Sequence, residues 1–179
     1  LAFIKDKDLS KKISLDIDEM EKMLTEYLQF TSSSFSEKNE PFNITELIED
    51  IILKYENKKI SSKLALRVYI NGKKTLIQRC ISNLIDNSIK YANKIDIQLS
   101  KQNNSIIMTI DDDGPGISEK EYENVFKPFY KIDKSRGDSK SSFGLGLSIA
   151  SDIIKSHGGN ILLEKSPMSG LRVKVFFPF

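Results

Sequence analysis

The sequence has too little cysteine and histidine for the usual covalent or metal-based forms of stabilisation. Among its 179 residues, Cys80 is the only cysteine and His157 the only histidine. An internal disulfide therefore cannot form, and a structural zinc site cannot be assembled from these side chains. This composition favours a reducing, cytoplasmic setting.

Net charge and long apolar runs are also scarce. The 27 basic and 25 acidic side chains nearly cancel to a net charge of +2, so no strong field attracts nucleic acid or an acidic membrane. No apolar run approaches the length of a membrane span, and the charged N-terminus L-A-F-I-K-D-K-D is too short for a signal peptide. We therefore expect a soluble chain without a nucleic-acid partner.

The N-terminal region carries a narrow apolar seam. Its apolar positions alternate spacings of four and three over about two heptads, a pattern that predicts a helix packed against another helix. They are Ile13, Ile17, Met20, Leu24 and Tyr27. A helix that lies on its own domain is the alternative, although so narrow a seam suits a sheet less well. Because residues 1–4 resemble the end of a preceding helix, we expect the chain to be a fragment.

A serine-rich stretch, T-S-S-S-F-S-E-K-N-E-P (residues 31–41), predicts a linker and a domain boundary. We expect a helical appendage over residues 1–33, a linker over 34–40 and one folded domain over 41–179. A hydrophobic content of 39% allows one core with an attachment but hardly two full domains.

The pattern beyond the linker predicts alternating helices and strands. We expect a short strand P-F-N-I, a helix capped by Thr45, a strand over 64–70 before a turn at Asn71 and Gly72, and a helix over 74–92. Two strand pairs follow: K-I-D-I-Q-L-S with S-I-I-M-T-I-D-D, and N-I-L-L-E-K with L-R-V-K-V-F-F. The sum is an α+β fold, a two-layer α/β sandwich with a mixed, mostly antiparallel sheet, preceded by an N-terminal α-helix.

The helix over 74–92 has two faces of different character. Its apolar residues recur at three and four and predict the core face: Leu76, Ile77, Cys80, Ile81, Leu84, Ile85 and Ile89. A second stripe at the same spacing is polar: Asn83, Asn87, Lys90 and Tyr91. An amide oxygen suits a magnesium ion that is shared with phosphates, and a lysine one turn later can meet phosphate charge. A merely solvated helix face is the alternative.

The segment I-D-D-D-G-P-G-I (110–117) ends a strand with three acids and a turn. Gly114 and Gly116 permit close approach of a ligand to the backbone. A buried aspartate beneath such a turn can accept a hydrogen bond from an exocyclic amine, which selects adenine over guanine. An ordinary surface turn is the alternative, since all these residues form turns.

Two further segments add to this pattern. F-K-P-F-Y-K-I-D-K-S-R (126–136) mixes aromatic residues with cations, and G-D-S-K-S-S-F-G-L-G-L-S-I-A (137–150) is a small-residue loop that opens into a helix. Such a loop presents unpaired backbone N–H groups that suit a phosphate chain.

Taken in this order, these motifs resemble the Bergerat-type ATP-binding domain of sensor histidine kinases from two-component systems, over residues 41–179. Within that family, the pattern D-D-G-P-G-I followed by P-F before a cation resembles osmosensor kinases of the EnvZ type. Residues 1–33 resemble the second helix of the family's dimerisation and phosphotransfer hairpin. The resemblance implies transfer of the ATP γ-phosphate to a histidine missing from this fragment, relay to a response regulator, and dimerisation through the hairpin. It also implies a cytoplasmic domain whose full-length protein lies in the bacterial inner membrane, anchored through upstream segments.

The resemblance further implies a set of site residues, with ATP and Mg²⁺ as the bound groups. Asp112 is similar to the adenine-reading aspartate, with Asp111 and Asp113 beside it. Asn87 and Asn83 are the implied metal ligands, and Asn87, Lys131 and Arg136 the implied catalytic residues, the two cations approaching the γ-phosphate. The implied nucleotide contacts are Asn83, Asn87, Ser88, Ile89, Lys90, Tyr91, Asp112, Gly114, Gly116, Ile117, Lys131, Ile132, Phe143, Gly144, Leu145, Gly146 and Leu147, and the aromatic segment includes Phe126, Pro128, Phe129 and Tyr130.

Two departures from the family's pattern stand out. Ser142 holds the position where the family's glycine box usually begins, which alters lid flexibility or phosphate approach. The phosphoacceptor histidine of the first hairpin helix is absent. We predict a structural role for His157, since it ends a helix just before a glycine.

The amide at Asn83 separates the kinase from its relatives. In gyrase B subunits, a heat-shock chaperone and mismatch-repair ATPases, a glutamate one turn before the metal-binding asparagine activates water. An amide cannot take a proton, so this site favours a kinase that passes phosphate to an outside nucleophile. The alternatives are a non-catalytic ATP-binding regulatory module, a Bergerat-type ATPase of another class, and a plain helical interaction protein.

Overall fold

The computed structural model describes residues 13–14, 17–18, 20–21, 24, 37–55, 59–102, 105–132 and 144–178. The chain divides into two units, Leu1–Glu37 and Lys38–Phe179. In the first, the described residues up to Leu24 are helical. Three seam residues are exposed there, Ile17 by 43%, Met20 by 67% and Leu24 by 58%. Ile13, the remaining described residue of the predicted seam, is half-buried, and Tyr27 lies outside the described residues.

The second unit contains three described helices and seven strands, numbered here in chain order. They are β1 (Glu40–Asn43), α1 (Ile44–Ile52), β2 (Lys59–Leu64), β3 (Tyr69–Gly72), α2 (Lys74–Tyr91), β4 (Lys94–Gln102), β5 (Ser105–Asp112), α3 (Gly146–Ser156), β6 (Asn160–Lys165) and β7 (Leu171–Pro178). Short 3₁₀ turns lie at Leu53–Tyr55, Glu119–Glu121 and Asn124–Phe126.

The strands form one large and one small sheet. The large sheet has the order β2-β4-β5-β7-β6, in which β2 pairs with β4 in parallel and the other pairs are antiparallel. Strands β1 and β3 form a separate antiparallel pair. The predicted mixed, mostly antiparallel sheet and the two predicted strand pairs are therefore confirmed.

The core lies between one face of the large sheet and the helices. Alternate residues of β4, β5 and β7 are buried, as the period of two requires: Ile95, Ile97, Leu99, Ile106, Met108, Ile110, Val173, Val175 and Phe177. The predicted core face of α2 is buried, except that Ile89 is only half-buried and Ser88 is buried beside it. Cys80 is fully buried against α3, and this burial raises the pKa of its thiol. Its chemistry is that of a small core residue.

The start of α1 differs from the prediction. Asn43, not Thr45, is the N-cap residue, and its Oδ1 accepts a hydrogen bond of 3.1 Å from the Thr45 amide. The Thr45 hydroxyl instead donates to the Ala65 carbonyl at 2.8 Å and accepts from the Val68 amide at 3.2 Å. The predicted cap was wrong because the hydroxyl of Thr45 has partners 20 and 23 positions further along the chain, which local sequence does not reveal.

The predicted strand over residues 64–70 is also wrong. A turn interrupts it, with Arg67 at a φ of 53° and Leu66 exposed by 85%. The predicted turn residues Asn71 and Gly72 lie instead in β3, opposite Pro41 and Glu40. The apolar residues of this stretch alternate as they would in a single strand. They belong, however, to the end of β2, the turn and the start of β3.

His157 joins the end of α3 to the start of α2. Its backbone caps α3, its Nδ1 lies 2.7 Å from the Ile153 carbonyl, and its Nε2 accepts a hydrogen bond of 3.0 Å from the Lys73 amide. A neutral ring with the proton on Nδ1 makes both bonds at once. A Cβ on Gly72 would lie 2.7 Å from the His157 ring, so the absence of a side chain at Gly72 leaves room for the ring. This geometry agrees with the predicted structural role of His157.

His157→Ala is expected to lower the free energy of unfolding by about 1–3 kcal/mol, because the part-buried Lys73 amide loses this acceptor. Urea unfolding followed by circular dichroism measures the change. Asp152→Ala, at an exposed position of the same helix, is the control and should stay within about 0.5 kcal/mol of the parent. Equal losses in the two variants would contradict the bridging role.

Candidate functional site

The three consecutive acids at the end of β5 have three different environments. Asp111 is 1% exposed and forms a bidentate ion pair with Arg172, with Nε–Oδ1 at 2.9 Å and Nη2–Oδ2 at 2.8 Å. The two residues are direct partners across β5 and β7. The hydrogen bonds to Asp111 raise the pKa of the Arg172 guanidinium. Asp111 is thereby fully engaged in joining two strands.

Asp113 lies just beyond the strand and supports the link between α2 and β4. Its Oδ1 accepts hydrogen bonds from the backbone amides of Lys94 at 2.9 Å and Asn93 at 2.8 Å. These bonds lower the pKa of the Asp113 carboxyl below its ordinary value, and the bond from Lys94 has the larger effect. Asp113 therefore holds the backbone between α2 and β4 in place and does not serve as a ligand-binding acid.

Asp112 is the acid that keeps one oxygen available. The residue is 4% exposed, and its Oδ1 accepts from the amides of Gly114 at 2.9 Å and Leu171 at 3.0 Å. Both bonds go to the same oxygen, so within the described residues Oδ2 has no hydrogen-bond partner. A buried carboxylate fixed in this way can present Oδ2 to an N–H donor of a ligand.

Two glycines make the packing around Asp112 feasible. A Cβ on Gly170 would lie 2.3 Å from Asp112 Oδ1 and 2.4 Å from its carbonyl oxygen, and a Cβ on Gly114 would lie 2.9 Å from the Tyr91 carbonyl. Gly114 thus brings the end of α2 against the turn, and Gly170 brings in the start of β7. Sequence reasoning missed Gly170, whose only signal was the turn P-M-S-G.

The predicted polar stripe of α2 faces away from the sheet. Asn83 and Asn87 are half-buried, whereas Lys90 and Tyr91 are exposed, with the Lys90 Nζ 5.1 Å from the centre of the Tyr91 ring. Within the described residues, the buried Nδ2 of Asn83 has no hydrogen-bond partner. A buried amide without a partner is costly, so an acceptor oxygen of a bound group or of a water molecule would complete its hydrogen bonding. Ser88 is buried on the core face, so its side chain is not part of this stripe.

The N-terminus of α3 lies beside this stripe. A Cβ on Gly146, the first residue of α3, would lie 4.0 Å from the Cβ of Asn83. Leu145 caps the helix with its backbone alone, since no side chain caps it. The N–H groups of the first turn therefore remain for an anion, which the helix dipole also favours.

The aromatic segment is tied to the glycine loop. The Phe129 amide donates to the Gly144 carbonyl at 3.1 Å. Gly144 has a φ of 70°, and a Cβ there would lie 2.6 Å from the Tyr130 carbonyl. Lys131 follows directly and is half-buried, and Ile132 is exposed. Arg136, Ser142 and Phe143 lie outside the described residues, so their predicted roles remain predictions.

These contacts bring four predicted segments together along α2. Gly114 touches the Tyr91 end and Gly146 the Asn83 end, which are eight residues and so about 12 Å apart. That span matches a ligand with a base at one end and phosphates at the other. Gly116 and Ile117 line a neighbouring cleft of about 340 Å³ with Tyr122 and Lys165. The lining of this cleft does not include Asp112 or the asparagines, so it marks one edge of the site.

The donors available for a metal ion are few. In the described part of the chain, no three His, Cys, Asp or Glu side chains cluster closely enough to hold one. A magnesium ion at this site would therefore combine the amide oxygens of Asn87 and Asn83 with oxygens of a bound phosphate and water, which fits its preference for hard ligands.

Comparisons with known proteins agree with this geometry. Residues 72–179 match the family described as histidine kinase-, DNA gyrase B-, and HSP90-like ATPase. The chain is 32% identical over 181 aligned residues to the sensor histidine kinase GtrS of Pseudomonas aeruginosa, covering 99% of this chain and 37% of GtrS. It is 34% identical over 108 residues to the sensor histidine kinase CpxA of Escherichia coli, covering 60% of this chain and 24% of CpxA.

Among solved structures, the catalytic domain of the histidine kinase ThkA superposes with a TM-score of 0.70 at 25% identity, covering 79% of this chain and 95% of that domain. By contrast, the chain spans well under half the length of the curated relatives GtrS and CpxA. Among the described residues, none of the helices has both the length and the apolar character needed to cross a membrane.

Asp113→Asn is expected to change how stability depends on pH. Because the folded-state pKa of Asp113 lies below its ordinary 3.8, its stabilising effect is complete above that value and is lost as the pH falls through the folded-state pKa. The variant should be less stable than the parent at neutral pH, and the difference should shrink in acid. Urea unfolding at several pH values between about 7 and 2 measures this. A difference that stays constant throughout would contradict the assignment.

Proposed function

Because this chain belongs to the histidine kinase-, DNA gyrase B-, and HSP90-like ATPase family, we propose that it is the catalytic part of a sensor histidine kinase that transfers the ATP γ-phosphate to a histidine. Family membership makes residues 72–179 part of an ATP-binding domain. The observation that carries the proposal is Asn83, an amide one helical turn before Asn87 and beside the N-terminus of α3.

Adenine recognition is assigned to Asp112. Its Oδ2 accepts a hydrogen bond from the exocyclic amine of the base, while the two backbone bonds to Oδ1 hold the carboxylate still. Guanine carries a carbonyl oxygen at that position, which would meet a carboxylate without a proton between them. The end of α2 near Tyr91 lies against the same turn and provides the neighbouring wall.

The phosphates are assigned to the other end of α2. The N–H groups at the start of α3 would donate to phosphate oxygens, and Asn87 and Asn83 would hold Mg²⁺. Bound magnesium would neutralise phosphate charge and orient the γ-phosphate for in-line transfer. Lys131 and Arg136 are assigned to the γ-phosphate, where their charge stabilises the transition state.

The same site is poorly equipped to hydrolyse ATP. An amide at Asn83 cannot take a proton from water. The buried carboxylate of Asp112 lies near the Tyr91 end of α2, remote from Asn83, and so cannot serve as the base there. Positioning and charge neutralisation suffice, however, when the attacking group is a histidine that brings its own nucleophilic nitrogen.

The acceptor histidine is assigned to another segment or molecule. His157 uses both ring nitrogens within the fold, and it follows the far end of the 11-residue α3, about 16 Å from the helix N-terminus. We assign residues 1–33 to the second helix of a dimerisation and phosphotransfer hairpin and 34–40 to a linker. A homodimer, a response regulator as partner, and a membrane attachment through other segments complete this proposal for the whole protein.

Asp112→Asn should separate nucleotide recognition from folding. The amide keeps an oxygen for the two backbone donors but places an N–H₂ group where Oδ2 was, facing the adenine amine. Affinity for ATP and ADP should fall by roughly 5- to 150-fold, as the loss of about 1–3 kcal/mol implies. Inosine triphosphate, with an acceptor at that position, should lose far less. Titration calorimetry measures all three ligands.

The control for this variant is Asp113→Asn, whose carboxylate serves the backbone of residues 93 and 94 and should leave nucleotide affinity unchanged. Asp112→Ala should lose ATP and ADP alike, but it also removes both backbone bonds. Unchanged ATP affinity in Asp112→Asn would show that another group reads the base.

Phosphotransfer is tested with γ-labelled ATP, magnesium and a separately supplied helical hairpin that bears a histidine acceptor. The hairpin should gain acid-labile, base-stable label, and the chain alone should not. Asn87→Ala, Lys131→Ala and Arg136→Ala should each slow labelling by at least about tenfold, the effect of losing about 1.4 kcal/mol of transition-state stabilisation.

Two outcomes would overturn this assignment. ATP binding without any labelling of the hairpin would indicate a non-catalytic nucleotide-binding module. Label on the chain alone that His157→Ala removes would mean that His157 is an acceptor and not a structural residue.

A further inference from the structure

A chain of side-chain hydrogen bonds holds the segment that precedes Lys131. Glu121, at the end of a 3₁₀ turn, accepts a hydrogen bond of 2.5 Å from the Tyr130 hydroxyl and one of 3.2 Å from Asn124 Nδ2. Lys127 Nζ in turn donates to Asn124 Oδ1 at 2.7 Å. These bonds join the beginning and the end of the segment, and Tyr130 is the residue directly before Lys131.

The hydrogen bond between Tyr130 and Glu121 also affects how both groups ionise. The Tyr130 bond is the first cause that lowers the pKa of the Glu121 carboxyl, and the same bond raises the pKa of the Tyr130 hydroxyl. Glu121 is therefore a carboxylate and Tyr130 a neutral donor at neutral pH, which makes their hydrogen bond charge-assisted.

The backbone beside this pair is strained. Phe129 has a φ of 64°, which is unfavourable for a residue with a bulky side chain. Its amide bonds to Gly144, and the Tyr130 carbonyl packs against the same glycine. Such a conformation persists only where surrounding contacts hold it. The hydrogen bond between Tyr130 and Glu121 is a side-chain contact that helps to hold the backbone at Phe129 and Tyr130.

The anchored point lies close to the phosphate end of the site. Gly144 stands two residues before Gly146, and Gly146 lies beside Asn83. A shift of the Tyr130 peptide would therefore move Lys131 relative to the start of α3. Tyrosine suits this purpose because its rigid ring has few rotamers to restrict.

We propose that Glu121 is a positioning residue for Lys131. Through its hydrogen bond to Tyr130, it fixes the position of the Lys131 backbone at the phosphate end of the site. The inference rests on the proposed function, in which Lys131 meets the γ-phosphate. Glu121 does not itself contact the nucleotide. Its effect is specific to ligands that carry a γ-phosphate.

The quantity to measure is the ratio of ATP to ADP affinity, with magnesium present throughout. Tyr130→Phe removes only the hydroxyl, whereas Glu121→Ala removes the acceptor of that hydroxyl together with the acceptor of Asn124 Nδ2. Each should lower the ratio by roughly two- to tenfold, the range expected for one ordinary hydrogen bond. The double variant should be no worse than Glu121→Ala alone, because the bond to Tyr130 is already absent in that variant.

Three controls separate positioning from general damage. Glu121→Gln keeps an acceptor oxygen for the Tyr130 hydroxyl and should restore most of the ratio. Tyr69→Phe, at an exposed tyrosine of β3 outside this chain of bonds, should match the parent. Affinity for ADP should stay within about twofold in every variant, since its contacts lie elsewhere.

Lys131→Ala distinguishes failure of this inference from failure of the proposed function. If Lys131→Ala lowers the ratio but Tyr130→Phe and Glu121→Ala do not, Glu121 has no positioning role and the function stands. Equal loss of ATP and ADP affinity in those two variants, or a Glu121→Gln variant as poor as Glu121→Ala, also overturns it. If Lys131→Ala leaves the ratio unchanged, the assigned role of Lys131 is wrong and the inference falls with it.

Discussion

The carboxylate of Asp112 is the point at which the candidate site is joined to the sheet. One oxygen accepts from the Gly114 turn and from the start of β7, two segments 57 residues apart in sequence. Those two amides satisfy one oxygen of the buried carboxyl group, which would be costly to leave without hydrogen-bond partners. The second oxygen then carries the recognition chemistry. Stability and base selection therefore depend on the same side chain, through different atoms.

Three neighbouring aspartates show how much a sequence can reveal here. Alternation along β5 places Asp111 and Asp112 on opposite faces, so a different role for each can be predicted. The partner of Asp111, by contrast, is Arg172, which lies 61 positions further on. No local pattern links these two, and the same holds for Gly170. The chemistry of the turn is visible in sequence, whereas the groups that orient it come from β7.

The fold was predictable where an element is long and regular. The 18 residues of α2 repeat their apolar positions five turns in succession, and β4 to β7 each alternate cleanly, so periodicity was sufficient. It failed over residues 59–72, where β2 is largely polar and two short strands flank a turn. It also failed at Thr45, whose hydroxyl bonds to that turn. In both places a tertiary contact, absent from local sequence, determines the conformation.

The order of the large sheet has a consequence for self-association. Within the described residues its outer strands, β2 and β6, each pair on one side only, so each leaves a row of amides and carbonyls without a strand partner. Strand β2 is protected by Lys59 and Lys63, which resist pairing with a second molecule. Strand β6 is more apolar, and its Leu162 is 43% exposed. When the protein is concentrated or partly unfolded, intermolecular strand pairing should therefore begin at β6.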